Sequence, residues 1–140
     1  MLFGSDAIYW LLTNTNRRAL EQAFDVRADL RQDLTDEEAI MVRQLVENFL
    51  PASERIAGVT NEGAAIDPST SYQLEGIEVP VLVIHARDDR LNSFEVAQAL
   101  AERVPHAELL ALETGGHLLL GRHDEIRKTV SDFLATCPKS

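Results

Sequence analysis

Basic residues are scarce in this 140-residue chain: 13 lysines and arginines stand against 23 aspartates and glutamates, a formal charge of −10. Nucleic acid and anionic membrane are gripped through clustered basic side chains, so the acidic balance excludes both as partners held by general charge attraction. Cysteine is almost absent. Cys137 has no second thiol to pair with, so no internal disulfide forms, which suits a reducing cytoplasm. Long apolar runs are missing as well. Residues 8–12 make the longest one near the start, too short to span a bilayer, and no basic signal-peptide segment precedes it. There is no repeat, no low-complexity tract and no glycine loop running into a P-loop lysine. These absences leave a soluble, cytoplasmic chain of one domain or less.

The most informative stretch is VPVLVIHARDD, residues 79–89. Val81, Leu82, Val83 and Ile84 form a short, mostly β-branched run after Pro80 and before Arg87, Asp88 and Asp89. That pattern predicts a strand buried on both faces, as in a parallel sheet. Residues 94–104 follow with Phe94, Ala97, Leu100, Ala101 and Val104 on one helical face. A second apolar run, residues 108–112, leads into Thr114-Gly115-Gly116-His117. A final helical stripe carries Ile126, Val130, Phe133 and Leu134. Strand, helix, strand, helix is a βαβ unit with one further helix, so the expected class is α/β with a parallel sheet.

Ligands of open parallel sheets bind beyond the carboxyl ends of the strands. Asp88, Asp89 and His117 fall in the two loops at those ends. An aspartate bonded to a histidine fixes the ring's tautomer and stabilises the imidazolium formed during proton transfer. Asp89 also has a plainer reading, as a turn residue capping a helix that begins near Asn92 or Ser93. Asp88, its rival for the histidine, is expected to face solvent or Arg87. His85 lies inside the strand and reads as a core histidine, His106 as exposed, and His123 as the start of the last helix. A zinc site from His85, Asp89 and His117 lacks the short ligand pair that structural zinc sites carry, so no metal and no cofactor are implied.

These residues resemble the C-terminal half of an α/β-hydrolase over roughly residues 51–136. The acid-bearing turn of that family maps to Ala86-Arg87-Asp88-Asp89, with Asp89 as the acid. Gly116-His117 matches its histidine loop, Asp132-Phe133-Leu134 its helix end, and residues 51–63 the segment leading from a lid into the sheet. The resemblance implies hydrolysis of an ester, amide or related bond, with His117 as general base and then acid and Asp89 orienting it. Two departures stand out. Ala86 replaces the turn glycine and is strained if that position needs a positive φ. No Gly-x-Ser-x-Gly elbow surrounds any of Ser5, Ser53, Ser69, Ser71, Ser93, Ser131 or Ser140. The implied enzyme therefore lacks its nucleophile here and is expected to be inactive alone, as a truncated frame or half of a split protein. The alternative is a non-catalytic interaction or oligomerisation module derived from a hydrolase half.

Residues 1–50 read as a helical, lid-like segment and residues 51–140 as the half-domain. Ser5 and Asn16 are expected to cap helices, the first with Ile8, Leu11 and Leu12 as its apolar positions and Tyr9 and Trp10 alongside. Thr35 and Glu38 form a capping-box pattern before a helix with Val42, Leu45, Val46 and Phe49 on one face, stopped by Pro51. Residues 61–63 and 67–69 carry turn chemistry and read as a surface connection. In the family's sheet, the strand at residues 81–84 has a further neighbour that this chain does not show, which leaves an open apolar edge. The expected partner is a second copy joined through that edge, or a separate chain with the N-terminal half. A small-molecule substrate is expected only if the enzyme is completed.

Overall fold

The computed structural model describes residues 5–65 and 72–137. They form six α-helices and two strands, besides two short 3-10 turns: α1 (Asp6–Thr15), α2 (Arg17–Ala23), α3 (Asp36–Asn48), α4 (Ala52–Ala65), β1 (Val81–Ala86), α5 (Phe94–Arg103), β2 (Ala107–Leu112) and α6 (His123–Thr136). Among the described residues, no helix is long and apolar enough to cross a membrane.

The chain clusters into two compact units. One holds Met1–Ala23 with Asp36–Tyr72, the other Phe24–Thr35 with Gln73–Ser140. A boundary at residue 50 does not coincide with this grouping. Helix α4 packs on α1 and so belongs with the first helices, while residues 24–35 leave them to join the sheet.

In the helical unit, α1 packs on α2 and α4, and α2 on α3. The ring of Tyr9 is its anchor: it is almost fully buried, donates its hydroxyl to the Val46 carbonyl at 2.9 Å and stacks on Phe49. Burial pushes its phenol up to about 12. Val42 and Val46 are buried as their spacing predicts. Of the apolar residues of α1, Ile8, Trp10 and Leu11 are exposed and Tyr9 is the one that turns inward. Ser5 sits at the N-cap of α1, but its side chain makes no cap bond. The turn expected at residues 61–63 is helical, since α4 continues to Ala65; residues 67–69 lie outside the described part.

In the sheet unit, β1 and β2 pair in parallel, from Val81 opposite Ala107 to Ala86 opposite Leu112. Helix α5 connects them and packs on both strands, and α6 packs on β1. Phe94 and Ala97 of α5 and Val104 just past its end are buried, as their stripe predicts, with Ala86, Leu112 and Leu120. Val26 and Leu30 complete this core and anchor residues 24–35 to it. The expectation of a strand buried on both faces does not hold here: Val81 through His85 are only half-buried. Among the described residues the sheet has two strands, too few to shield both faces. Helix α6 likewise has no fully buried residue, and Leu134 is 63% exposed.

Candidate active site

The parallel register places the loops after β1 and β2 side by side. The Arg87 amide donates to the Leu112 carbonyl at 2.8 Å, so the two chains leave the sheet together. Arg87 then pairs with Glu113 across the gap at 3.0 Å and lies over the Phe94 ring. Three residues past Ala86 comes Asp89, and in the neighbouring loop comes His117. His117 Nδ1 lies 3.0 Å from Asp89 Oδ2.

Asp89 is held from both sides. Its Oδ1 accepts the amides of Leu91 at 2.8 Å and Asn92 at 2.9 Å, so the turn-residue reading and the histidine partnership hold in one side chain. The side chain is 4% exposed. Burial pushes its carboxyl up, but the Asn92 amide, the His117 imidazole and the Leu91 amide together hold it below the ordinary aspartate value. Its Oδ2 has a second neighbour, His85 Nε2 at 3.6 Å. His85 is half-buried, with Nδ1 2.9 Å from the Ala86 carbonyl and its ring edge toward Phe94. His106 is exposed, and His123 opens α6 with Nε2 3.2 Å from the Leu118 carbonyl.

His117 is 35% exposed at its side chain. Nδ1 is the nitrogen turned to the carboxylate, and among the described residues no hydrogen bond to Nε2 is seen. No serine, threonine or cysteine among the described residues bonds to His117; Ser93, the nearest in sequence to Asp89, bonds to Glu95. No group of His, Cys, Asp and Glu among the described residues is arranged to hold a metal ion.

Asp88 turns away from His117, and toward neither solvent alone nor Arg87. Its carboxylate pairs with Arg27 through Oδ2 and accepts the Gly116 amide at 2.9 Å through Oδ1. The condition for strain at Ala86, a positive φ, is not met. Ala86 is the last residue of β1 and fully buried, and the described non-glycine residues at positive φ are Asp25 and Leu119. Strain-tolerant backbone is instead spent on the histidine loop, where Gly115 and Gly116 have φ of 142° and 60°. A Cβ on Gly116 would lie 2.7 Å from Asp25 Oδ2 and 2.9 Å from Leu30 Cδ1. Sequence reasoning missed Asp25 and Arg27 altogether. The signal available was Val26 and Leu30, two apolar residues that mark this charged segment as packed rather than solvated.

Comparison with known proteins bears on the family of the chain. Residues 61–139 match the family model described as TAP-like protein, an α/β-hydrolase family. The chain is 30% identical over 100 residues to a pimeloyl-[acyl-carrier protein] methyl ester esterase of Xanthomonas campestris pv. campestris, an alignment covering 69% of this chain and 40% of that protein. It is 29% identical over 79 residues to the AB hydrolase superfamily protein YisY of Bacillus subtilis, covering 56% of this chain and 28% of that protein. The chain thus spans well under half the length of these relatives. With the family model covering more than half of its residues, and with helical segments followed by two parallel strand–helix units, the chain belongs to the α/β-hydrolases of the TAP-like family.

Proposed function

We propose that this chain carries the histidine and acid of a hydrolase acting on an ester, amide or related bond. His117 takes a proton from a nucleophile through Nε2 and later returns it to the leaving group. Asp89 holds the ring's tautomer and balances its charge. The observation that carries the reading is the 3.0 Å contact between His117 Nδ1 and an Asp89 carboxylate that is 4% exposed. The nucleophile and the oxyanion donors come from sequence outside these 140 residues. Those parts supply most of the rate in acyl transfer, so the purified chain alone should not turn over p-nitrophenyl esters. Turnover that survives purification and disappears in His117→Ala would place a nucleophile within the chain. The decisive experiment is co-expression with an adjacent reading frame that carries Gly-x-Ser-x-Gly. Ester hydrolysis by the pair, lost in His117→Ala, supports the reading; a stable pair with no hydrolysis sinks it.

A second reading, an interaction module without chemistry, is favoured by the half-buried apolar strand β1, which pairs with β2 alone among the described strands. In that reading two copies join through β1 about a two-fold axis, the commonest arrangement of homo-oligomers.

A further inference from the structure

Asp25 makes contacts that the pairing of Asp89 with His117 does not require. Its side chain is 2% exposed, and its backbone sits at φ 61°. Its Oδ2 accepts one backbone amide from each of the two loops: Arg90 at 3.2 Å and His117 at 3.1 Å. Those donors stand 65 and 92 residues further along the chain. Arg27 Nη1 lies 3.0 Å from both Asp25 oxygens. The same guanidinium reaches the Asp88 carbonyl at 3.0 Å and, through Nη2, the Asp88 carboxylate, whose other oxygen takes the Gly116 amide. The acid loop and the histidine loop are therefore tied to residues 24–35 by two routes, and neither route touches the imidazole.

We propose that Asp25, with Arg27 as its counter-ion, is a positioning residue that sets the geometry of Asp89 and His117 by gripping both loops at their backbone. The proposal rests on the reading of Asp89 and His117 as a catalytic pair. Its physical basis is the strength of amide bonds to a charged acceptor in a site with little water. A single oxygen that receives both loops fixes their separation more tightly than two independent bonds would. Proton transfer is sensitive to displacements of about 1 Å, so a brace of this kind matters to a pair that is itself correctly composed. Gly116 shows how close the brace lies: no side chain fits between the loop backbone and the Asp25 carboxylate.

The test is NMR on the intact chain, following the His117 Nδ1 proton and the exchange of the His117 backbone amide. In the wild type, a downfield Nδ1 proton that disappears in Asp89→Asn establishes the pair. Asp25→Asn keeps the side chain's size and tolerates positive φ, but one oxygen becomes an amide nitrogen that cannot serve Arg27. The expected result is loss or broadening of the Nδ1 proton and about tenfold faster exchange at His117, with the central β1 and β2 amides unchanged. Should Asp25→Asn fail to fold, Arg27→Lys keeps the charge but loses the fork, and the same two signals should move in the same direction by less. Both signals unmoved while the Asp89-dependent proton is present would overturn the positioning role and leave the pair standing. Uniform loss of protection throughout β1 and β2 would overturn it too, as general destabilisation. Absence of any Asp89-dependent proton in the wild type would overturn the reading of the pair itself.

Discussion

At the carboxyl end of the sheet the chain buries charge, and along the body of the same sheet it leaves apolar residues half-exposed. Asp25 and Asp89 are 3% exposed as a residue and 4% as a side chain, respectively, and each is met by several donors. A few residues away, Val81 through His85 are only half-buried, and α6 buries none of its residues fully. This inverts the usual partition of residue types between interior and surface. The inversion separates two kinds of sufficiency. At the polar end the carboxylates find partners within the chain: Asp25 and Asp88 share Arg27, and Asp89 is met by His117 and the Leu91 and Asn92 amides. The apolar body is where further covering surface would add stability.

The comparison breaks most visibly at Arg27. Replacing it with methionine keeps much of the volume but leaves the Asp25 and Asp88 carboxylates without their common cation, next to one another and largely out of water. Removing one partner of a buried ion pair costs about 3–5 kcal/mol. Urea unfolding of Arg27→Met should show a loss of that order; a loss under about 1 kcal/mol would mean that water reaches both carboxylates and that the end is less sealed than its exposure indicates. Gly116→Ala should come next, at about 1–3 kcal/mol, because the added Cβ meets Asp25 Oδ2 and Leu30 while the backbone stays at positive φ. A crystal structure of that variant should show the loop displaced from Asp25. An unchanged loop with unchanged stability would contradict the tight approach.

The apolar body should respond differently. Ile→Ala at a fully buried site costs about 2–5 kcal/mol; Ile84 is half-buried, so Ile84→Ala should cost roughly 1–2. That expectation holds for a chain whose β1 stays as exposed as it is here. If two copies join through β1, the wild-type unfolding midpoint rises with protein concentration and light scattering at micromolar concentration gives twice the chain mass. A folded monomer with a concentration-independent midpoint would remove the homodimer from consideration.

The two regions also differ in how far they could be read from sequence. Strands β1 and β2 and helices α5 and α6 announce themselves by apolar runs of strand length and stripes of helical period, and those signals are local. The proximity of Asp89 and His117 was legible because parallel strands put their following loops side by side. Helix α4 was not, since Gly58, Val59, Thr60 and Gly63 are poor helix formers and its packing on α1 outweighs them. Asp25 was hidden for another reason. A carboxylate buried by partners 65 and 92 residues away looks, in sequence, like any solvated charge. The half-burial of β1 was hidden by its own composition, because an apolar run reports what a strand can bury and not what is present to bury it.

The mildest prediction follows a single proton at the sealed end. The folded-state carboxyl of Asp89 lies below its ordinary value of 3.8, because the Asn92 and Leu91 amides and the His117 imidazole outweigh the effect of burial. The unfolded chain therefore takes up this proton at higher pH than the folded chain does. The stability that Asp89 contributes is full above the ordinary aspartate range and drains as pH falls toward the folded-state value, with a slope of at most about 1.4 kcal/mol per pH unit from one group. Asp89→Asn lacks the titration. The gap in stability between wild type and Asp89→Asn should be constant near pH 5 and narrow below about pH 4. A gap that widens instead would mean that the carboxyl is protonated more readily in the folded chain. The donors around Oδ1 and Oδ2 would then be failing to hold its charge, and the sealed end would stand no higher than the exposed body.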